Sequence, residues 1–459
     1  MFCNIVLDRS GILGRLDAIS PPSPRINIDP QRRAWGIMLI AFAAFCAICL
    51  ISGVGIIYFL FQSSLPLDAV MEVSRGSAGI TGQEAVRLNA TVSYNDDLST
   101  DPISQATLSL RDSLNDQQLI AAITLRGGAS FTLRRASRPR FQWSNGQYII
   151  ELQNFTGEIN IFAPKKLARD LTMSILTSAG DLIYLRSGGQ YILRASDTRV
   201  QVINQDGEVI LKPSNVDVGK SIPANSQGTI TYATDPQDVV ISQPFTNLLS
   251  DRMFQDDLTS PTDFNTTGQP FSKDWFCKDN SDPQGNAVPD TVDGRSVLRL
   301  VRDNDATSHG ETFCLLSWHA GLNVASFNYL SLRATFKIDY QSLGTCGQDG
   351  SECPLMMVVE YVDKGANLHT WYHGFYASVD PDKNYPTRCN SCLQEHEQIN
   401  AKSWFTFDSG NLLNLLTNPD QLAEQGPITL VDIRFRASGH QYDVDVSDLA
   451  LVASLDTNP

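Results

Sequence analysis

The sequence predicts an all-β protein that is preceded by a single transmembrane helix. Three observations lead to this fold class. One apolar run extends from Ala34 to Phe61, and no charged residue falls between Arg33 and Asp68. Much of the remaining chain alternates apolar with polar residues, which is typical of half-buried strands. Six cysteines lie between residues 277 and 392, an even number that suits an exported, disulfide-bonded region.

The apolar run is long enough to cross a bilayer. At a rise of 1.5 Å per residue it extends for about 42 Å as a helix, whereas the hydrocarbon core is about 30 Å thick. A cleaved secretory signal is the alternative, but the apolar core and the segment before it are too long, and no small-x-small cleavage site follows Phe61. We therefore predict an uncleaved helix over residues 34–62 that spans with some tilt.

Charge predicts the orientation of this helix. The cytoplasmic tail, residues 1–33, carries five arginines against three aspartates, a net charge of +2. The whole chain has a net charge of −15, so the part beyond the run carries −17. The positive-inside rule then places the N-terminus in the cytoplasm and the bulk of the chain outside the cell membrane. An acidic exterior disfavours binding to nucleic acid or anionic lipid.

The exported part is long enough for two domains, since nearly 400 residues follow the helix. Composition changes near residue 245: all six histidines and all six exported cysteines come after it. We predict a β domain over residues 70–240, a polar, turn-rich linker over 241–270 and a second β domain over 271–455.

The first β domain contains a weak repeat of a glycine turn, a polar residue and an apolar strand. It recurs at Gly157, Gly180, Gly189 and Gly207, at uneven intervals that exclude a regular solenoid. One amphipathic segment, Pro102 to Ala122, is compatible with a helix. Every other part of this domain is expected to be strand and turn.

Within this domain, Asp181 to Tyr232 resembles the sensor domain of the iron-dicitrate regulator family, FecR. Gly189–Arg194, Val200–Val209 and Pro223–Ile230 match its pattern of a Gly-aromatic strand, a strand ending in a Gly-Glu-Val return, and a late turn before the last strand. The resemblance implies a β module used in the envelope, and in regulators a cytoplasmic segment that holds a sigma factor. The proline-broken tail of this chain does not match such a segment.

The second β domain has enough strand candidates for a two-sheet sandwich. Trp275, the strand that follows Asp293 and the closing segment from Ile433 to Leu449 resemble galactose-binding-like jelly rolls. The resemblance implies a module that binds sugars, lipids or proteins, or that only spaces other parts. The cysteines and the long loop Asp380–Asn400 depart from the pattern.

The exported cysteines have two interpretations. Short separations favour disulfides Cys346–Cys353 and Cys389–Cys392, which leaves Cys277 with Cys314. Sequence alone does not fix this connectivity. The alternative is a tetrahedral zinc site formed by Cys346, Cys353, Cys389 and Cys392, although only one of these pairs has the spacing of zinc ligands.

The densest candidate ligand site is the run from His369 to His373. Residues two apart share a face of a strand, so His369, Trp371 and His373 line one face and Tyr372 lies on the other. Aromatic rings beside hydrogen-bonding side chains suit a sugar, and we predict His369, Trp371, Tyr372 and His373 as ligand-binding residues. The alternatives are a metal site that uses the two histidines, and a sandwich core.

Asp303, Asp305 and Glu311 offer hard oxygen donors in a turn, as a structural calcium ion requires. The alternative is an acidic surface turn. We find no serine elbow, no phosphate loop and no H-E-x-x-H motif, and we expect no catalytic residues.

The sequence thus favours a non-enzymatic, membrane-anchored envelope or cell-surface protein. We expect its distal jelly roll to bind a glycan or another protein, with an oligomer or larger surface assembly as a further possibility. Two alternatives remain: a FecR-type transmembrane signalling regulator, and a structural accessory subunit of a membrane or surface assembly.

Overall fold

The structure is a computed structural model that describes residues 30–233, 238–249, 275–279, 281–303, 306–417 and 426–456. It contains two compact units, Met1–Leu60 and Phe61–Pro459. Most of the predicted cytoplasmic tail, residues 1–29, lies outside the described residues. The described chain beyond the first helix consists mostly of strands with turns and loops between them and one short helix, and this confirms the predicted fold class.

Helix α1, Pro30–Gln62, corresponds to the predicted span. It begins at a proline, which is favoured in the first turn because its missing N–H would have no intrahelical partner there. Residues Arg33–Gln62 are long and apolar enough to cross a membrane. The prediction of one long apolar N-terminal helix is confirmed, and the sidedness of that helix stays a prediction.

The first β region comprises seventeen strands between Ser64 and Ser242, and one hydrophobic core runs through it. In chain order the strands are β1 (Ser64–Pro66), β2 (Asp68–Arg75), β3 (Ala78–Ile80), β4 (Asn89–Thr91), β5 (Asp97–Thr100), β6 (Gln105–Asp112), β7 (Gln118–Leu125), β8 (Ser130–Pro139), β9 (Tyr148–Ala163), β10 (Leu171–Thr177), β11 (Leu182–Leu185), β12 (Gly189–Ala195), β13 (Arg199–Asp206), β14 (Val209–Lys212), β15 (Lys220–Ile222), β16 (Ser226–Thr231) and β17 (Val240–Ser242).

Strand β9 joins the two layers of this region. Its first half pairs with β8 and with β10, the latter in parallel, and its second half pairs with β7 and β12. Between the halves, Asn154 and Gly157 adopt left-handed backbone conformations, with φ of 55° and 85°. A Cβ at position 157 would lie 2.6 Å from the Cα of Ala129, so only glycine fits this bend.

The segment Pro102 to Ala122 is not helical. It forms β6 and most of β7, which pair as antiparallel neighbours. Nearly every residue of both strands is buried, whichever way its side chain points. A strand that is covered on both faces loses its period of two, and its apolar residues then resemble a helical pattern.

The second β region is a two-sheet sandwich with a core of its own. Its elements are β18 (Thr246–Asn247), β19 (Trp275–Asp279), β20 (Asn286–Val292), β21 (Arg295–Arg302), β22 (Gly310–Asn323), β23 (Tyr329–Gln341), β24 (Leu355–Asp363), β25 (Leu368–Tyr376), β26 (Glu397–Gln398), β27 (Phe405–Asp408), α2 (Leu412–Leu416), β28 (Pro427–Gly439) and β29 (Tyr442–Ser454).

We name the two sheets of this sandwich by what their outer faces contact. The docking sheet has the strand order β20-β21-β29-β23-β27, with β18 on β29, and its outer face packs on the first β region. The free sheet has the order β19-β22-β28-β24-β25-β26. Side chains of the two sheets meet in a core that contains Trp275, Trp371 and Phe435.

The two β regions contact each other through polar and charged groups. Arg75 of the first region pairs with Glu397 of the second at 2.7 Å, and Arg111 pairs with Asp293 at 2.7 Å. The Asn400 side chain donates to the backbone oxygens of Val73 and Arg87 at 2.7 and 2.8 Å. These contacts fix the second region against the first.

The predicted linker, residues 241–270, is described as far as Leu249. In that part, β17 pairs with β16 of the first region and β18 pairs with β29 of the docking sheet. Leu249 belongs to the core of the second region. The described part is therefore a short connection built into both regions.

Candidate functional site

Strand β25 places the predicted ligand-binding residues on two different sides of the free sheet. The period of two is as expected, but the face that carries Trp371 points into the sandwich core. Trp371 is 0 % exposed and His373 is 3 % exposed. A ring that is enclosed on both faces cannot stack on a sugar, so Trp371 does not belong to a ligand-contacting surface.

The two histidines of β25 have structural partners. His369 lies 2.9 Å from the Asp363 carboxylate in the turn that joins β24 to β25. The backbone N–H of Asn367 and the His369 ring lower the pKa of Asp363 to about 2. His373 stacks between Trp371 and Phe407, and its Nε2 donates to Glu397 at 3.2 Å. Neither histidine is presented as a surface ligand group.

Glu397 connects this buried histidine to the first β region. Burial alone would raise the pKa of Glu397, but the His373 hydrogen bond and Arg75 outweigh burial and lower it. The carboxylate is therefore ionised at neutral pH and holds His373 and Arg75 together. This arrangement is part of the region interface.

The four cysteines that sequence left open between disulfides and zinc are paired. The structure contains disulfides Cys277–Cys314, Cys346–Cys353 and Cys389–Cys392. The groups of possible metal ligands found among the described residues are two, each formed by one of the last two pairs with His396. His396 accepts from the backbone N–H of Gly374 at 2.9 Å and contacts the Gly350 oxygen at 2.8 Å. Its ring nitrogens and these sulfurs are thus already engaged.

The predicted calcium ligands are only partly described. Asp303 is exposed after β21, and Asp305 lies outside the described residues. The Glu311 carboxylate pairs with Arg436 at 3.4 Å, across β22 and β28. The calcium site therefore stays a prediction.

Tyr372 is the one predicted ligand residue on the solvent side of the free sheet. It lies in a row of side chains that crosses five strands, because each residue is the register partner of the next. Neighbouring strands are about 4.8 Å apart, so the row is about 19 Å long. We call it the cross-strand row, and its members are Phe276, Leu315, Arg434, Val358 and Tyr372.

Charged groups surround the centre of the cross-strand row. Arg434 contacts Glu360 and Asp432, each at 2.9 Å, and the two carboxylates lie on paired positions of β24 and β28. Burial raises the pKa of Asp432, and the neighbouring Glu360 adds to this against the opposing effect of Arg434. Asp432 Oδ1 and Arg434 Nε are buried and make no hydrogen bond with any described residue. The cluster has hydrogen-bonding capacity that its own ion pairs do not use.

Apolar side chains stand at both ends of the row. Phe276 is 36 % exposed at one end, and Tyr372 is half-buried beside Met356 and Val358 at the other. Sequence reasoning found Tyr372 but missed Phe276, Glu360, Asp432 and Arg434. The first and last of these residues, Phe276 and Arg434, are 158 positions apart in the chain (434 − 276), and only strand register brings the set together.

No family model matches this sequence, and no curated protein matches it. Solved structures that resemble it include a protein assigned as an anti-sigma factor from Parabacteroides distasonis ATCC 8503, with 13 % identity and a TM-score of 0.22. That likeness covers 32 % of this chain and 58 % of the other. The chain thus spans little more than half the length of that protein.

Two further likenesses are to a carbohydrate-binding module and to the protein Xyn11A. The family 11 carbohydrate-binding module of the Clostridium thermocellum cellulase Lic26A-Cel5E has 9 % identity over 43 % of this chain and 96 % of its own, with a TM-score of 0.23. A loop-swap mutant of Necallimastix patriciarum Xyn11A has 10 % identity over 39 % and 91 %, with a TM-score of 0.25. Scores this low assign neither a fold family nor a function.

Proposed function

We propose that this chain is a membrane-anchored, non-enzymatic carbohydrate-binding protein whose ligand lies along the cross-strand row of the free sheet. Helix α1 anchors it, with the N-terminus in the cytoplasm and the β regions outside the cell membrane. The observation that carries the proposal is the row itself, with an aromatic ring at each end and a cluster of planar charged groups in the middle.

The chemistry of the row suits an extended oligosaccharide. Sugar rings present C–H faces that pack on aromatic side chains such as Phe276 and Tyr372. Sugar hydroxyls both donate and accept, so they can bind Arg434 and the two carboxylates around it at once. A row that runs across the strands offers such groups in sequence along one line.

The docking of the second region supports this assignment. The outer face of the docking sheet is covered, with Ser331 and Ser447 buried and Arg333 paired with Asp408. The outer face of the free sheet retains half-buried Glu360, Arg434 and Tyr372. A ligand on the free sheet can therefore reach these three side chains, whereas Val358, which lies between Arg434 and Tyr372 in the row, is 1 % exposed.

The test is a glycan array and cell-wall polysaccharide pull-down with the full chain in lipid nanodiscs. We expect specific retention that Tyr372→Ala and Arg434→Ala each weaken by about tenfold or more, equivalent to about 1.4 kcal/mol. Tyr340→Ala is the matched control, because Tyr340 is 51 % exposed and lies on β23 of the docking sheet.

Two outcomes would contradict the proposal. Retention that both variants leave unchanged would remove the cross-strand row from binding. Release of new reducing ends from a bound glycan would show an enzyme, with Glu360 and Asp432 as the carboxylates to examine.

Deletion of residues 2–30 tests the signalling alternative, which requires a cytoplasmic partner and predicts a loss of response.

A further inference from the structure

We propose a second ligand site, specific for an uncharged, hydroxyl-rich ligand such as a neutral oligosaccharide, in the cleft between the two β regions. This interface cleft has a volume of about 510 Å³, which is in the range of small-molecule sites. Its walls come from Gln190, residues 203–206, 224–227 and 243–247 on one side, and from Arg333 and Asp448 with their neighbours on the other. It is separate from the cross-strand row, and the proposal does not rest on that row.

The charges of the interface cleft cancel. Four charged residues line it, two of each sign, and each has a partner. Lys165 pairs with Asp206 at 2.6 Å, and Arg333 pairs with Asp408 at 2.8 Å. Asp448 accepts from Arg295 and from the Gln190 side chain. Because no ionic group is left over, an ionic ligand would have to break one of these pairs, and a neutral ligand would not.

Two amide side chains supply the hydrogen-bonding groups. Gln205 is the extra residue of a β-bulge, since Gln190 pairs with Asp206 and Tyr191 pairs with Asn204. Bulges redirect side chains and recur beside functional sites. Asn225 has a left-handed backbone, with φ of 57°, and its side chain is exposed. Neither side chain hydrogen-bonds to a described residue, so both amides offer a donor and an acceptor to a hydroxyl group.

The rest of the interface cleft contains a buried hydrogen-bonded side chain and is partly apolar. Asn204 is 0 % exposed and donates to the backbone oxygens of Gly207 and Ile222, which fixes the bulge from below. Phe245 and Pro244 are half-buried in the connection between the regions, opposite Val452 of the docking sheet. A ring at the wall and amides at the rim form a typical combination for a sugar.

The other large cleft does not carry the same inference. It has a volume of about 540 Å³ and lies within the first β region, around Arg169. The Arg169 guanidinium donates to backbone oxygens of the surrounding loop, including those of Gly146 and Phe141 at 3.1 and 3.2 Å. The Arg169 guanidinium is therefore already engaged in hydrogen bonds that stabilise this loop.

The experiment is isothermal titration of the full chain in lipid nanodiscs with neutral tetrasaccharides: cellotetraose, mannotetraose and chitotetraose. Tetragalacturonate is the anionic comparison. We expect at least one neutral tetrasaccharide to bind, with the anionic one at least about tenfold weaker. Gln205→Ala should weaken binding about tenfold, and Ala224→Trp, which fills the cleft from its exposed rim, should abolish it.

Gln142→Ala is the matched control, because Gln142 is an exposed glutamine that lines the other cleft. The proposal is overturned if no neutral tetrasaccharide binds, or if binding survives both cleft variants. Binding that survives them but disappears in Tyr372→Ala would assign the ligand to the cross-strand row alone, so the two proposals fail separately. An unchanged melting temperature of Ala224→Trp confirms that its effect is local.

Discussion

At the scale of the residue, the clearest difference between sequence and structure concerns Trp371. The alternation along β25 correctly predicts that Trp371 and His373 share a face and that Tyr372 lies on the other. It does not predict which face is inside, because both faces carry aromatic rings. Which face of β25 is buried depends on the sheet that packs on it, and the strands of that sheet are far from β25 in the sequence.

The burial of Trp371 leads to a prediction about stability. Trp371→Ala would leave a large cavity beside His373 and Phe375, and we expect a loss of about 3–5 kcal/mol in the free energy of unfolding. Denaturant unfolding of the protein measures this loss. Trp143→Ala is the matched control, since Trp143 is 55 % exposed, and we expect it to cost less than about 1 kcal/mol. Equal losses in both variants would contradict the placement of Trp371 in the core.

At the scale of the element, features formed by residues close together in the sequence were predicted more accurately than features formed by residues far apart. Apolar length predicted α1, and the separations within Cys346–Cys353 and Cys389–Cys392 favoured the pairs that the structure contains. The helical interpretation of Pro102–Ala122 was wrong because β6 and β7 are buried on both faces. The cross-strand row could not be predicted at all, since its residues meet only after β19, β22, β28, β24 and β25 are in register.

The three disulfides should contribute unequally to stability. Cys277–Cys314 closes a loop of 37 residues, whereas the other two close loops of 7 and 3. In the chain-entropy description this corresponds to roughly 4 kcal/mol for the first bridge and roughly 2 kcal/mol for each of the others. We expect Cys277→Ser with Cys314→Ser to lower the melting temperature more than Cys389→Ser with Cys392→Ser. Calorimetry measures both, and the reverse order would contradict the loop-closure argument.

At the scale of the whole molecule, Phe61–Pro459 form one compact unit. The sequence predicted two β domains in series, and the structure contains two hydrophobic cores. It also adds an interface that sequence could not supply, because Arg75 and Glu397 are separated by 322 positions. From sequence alone, charged and amide side chains on the surface of a strand cannot be distinguished from solvent-exposed groups, because the sequence does not show which other surface packs on them.

This interface should weaken in acid. Burial opposes ionisation of Glu397, but His373 and Arg75 lower its pKa below the ordinary value of 4.5. A carboxylate with a lowered pKa in the folded state stabilises the fold above its unfolded pKa, and that contribution is lost as the pH falls through the folded value. We therefore expect the melting temperature to fall as the pH decreases below about 4.5.

Glu397→Gln isolates this contribution, since it keeps the shape of the side chain and removes its charge. The variant should be less stable than the parent protein at pH 7, and the difference should shrink toward pH 2–3 as Glu397 is protonated in the parent. A stability difference that is constant from pH 7 to about pH 2 would show that the charge of Glu397 does not hold the regions together.

The central claim, that the free sheet binds a carbohydrate while the docking sheet is covered, is most directly tested by hydroxyl-radical footprinting with the retained glycan. Mass spectrometry reads the oxidation of each side chain with and without ligand. The account predicts protection of Tyr372 and Phe276, with Tyr340 unchanged. Protection around Gln205 and Phe245 without any at Tyr372 and Phe276 would contradict it and locate binding in the interface cleft.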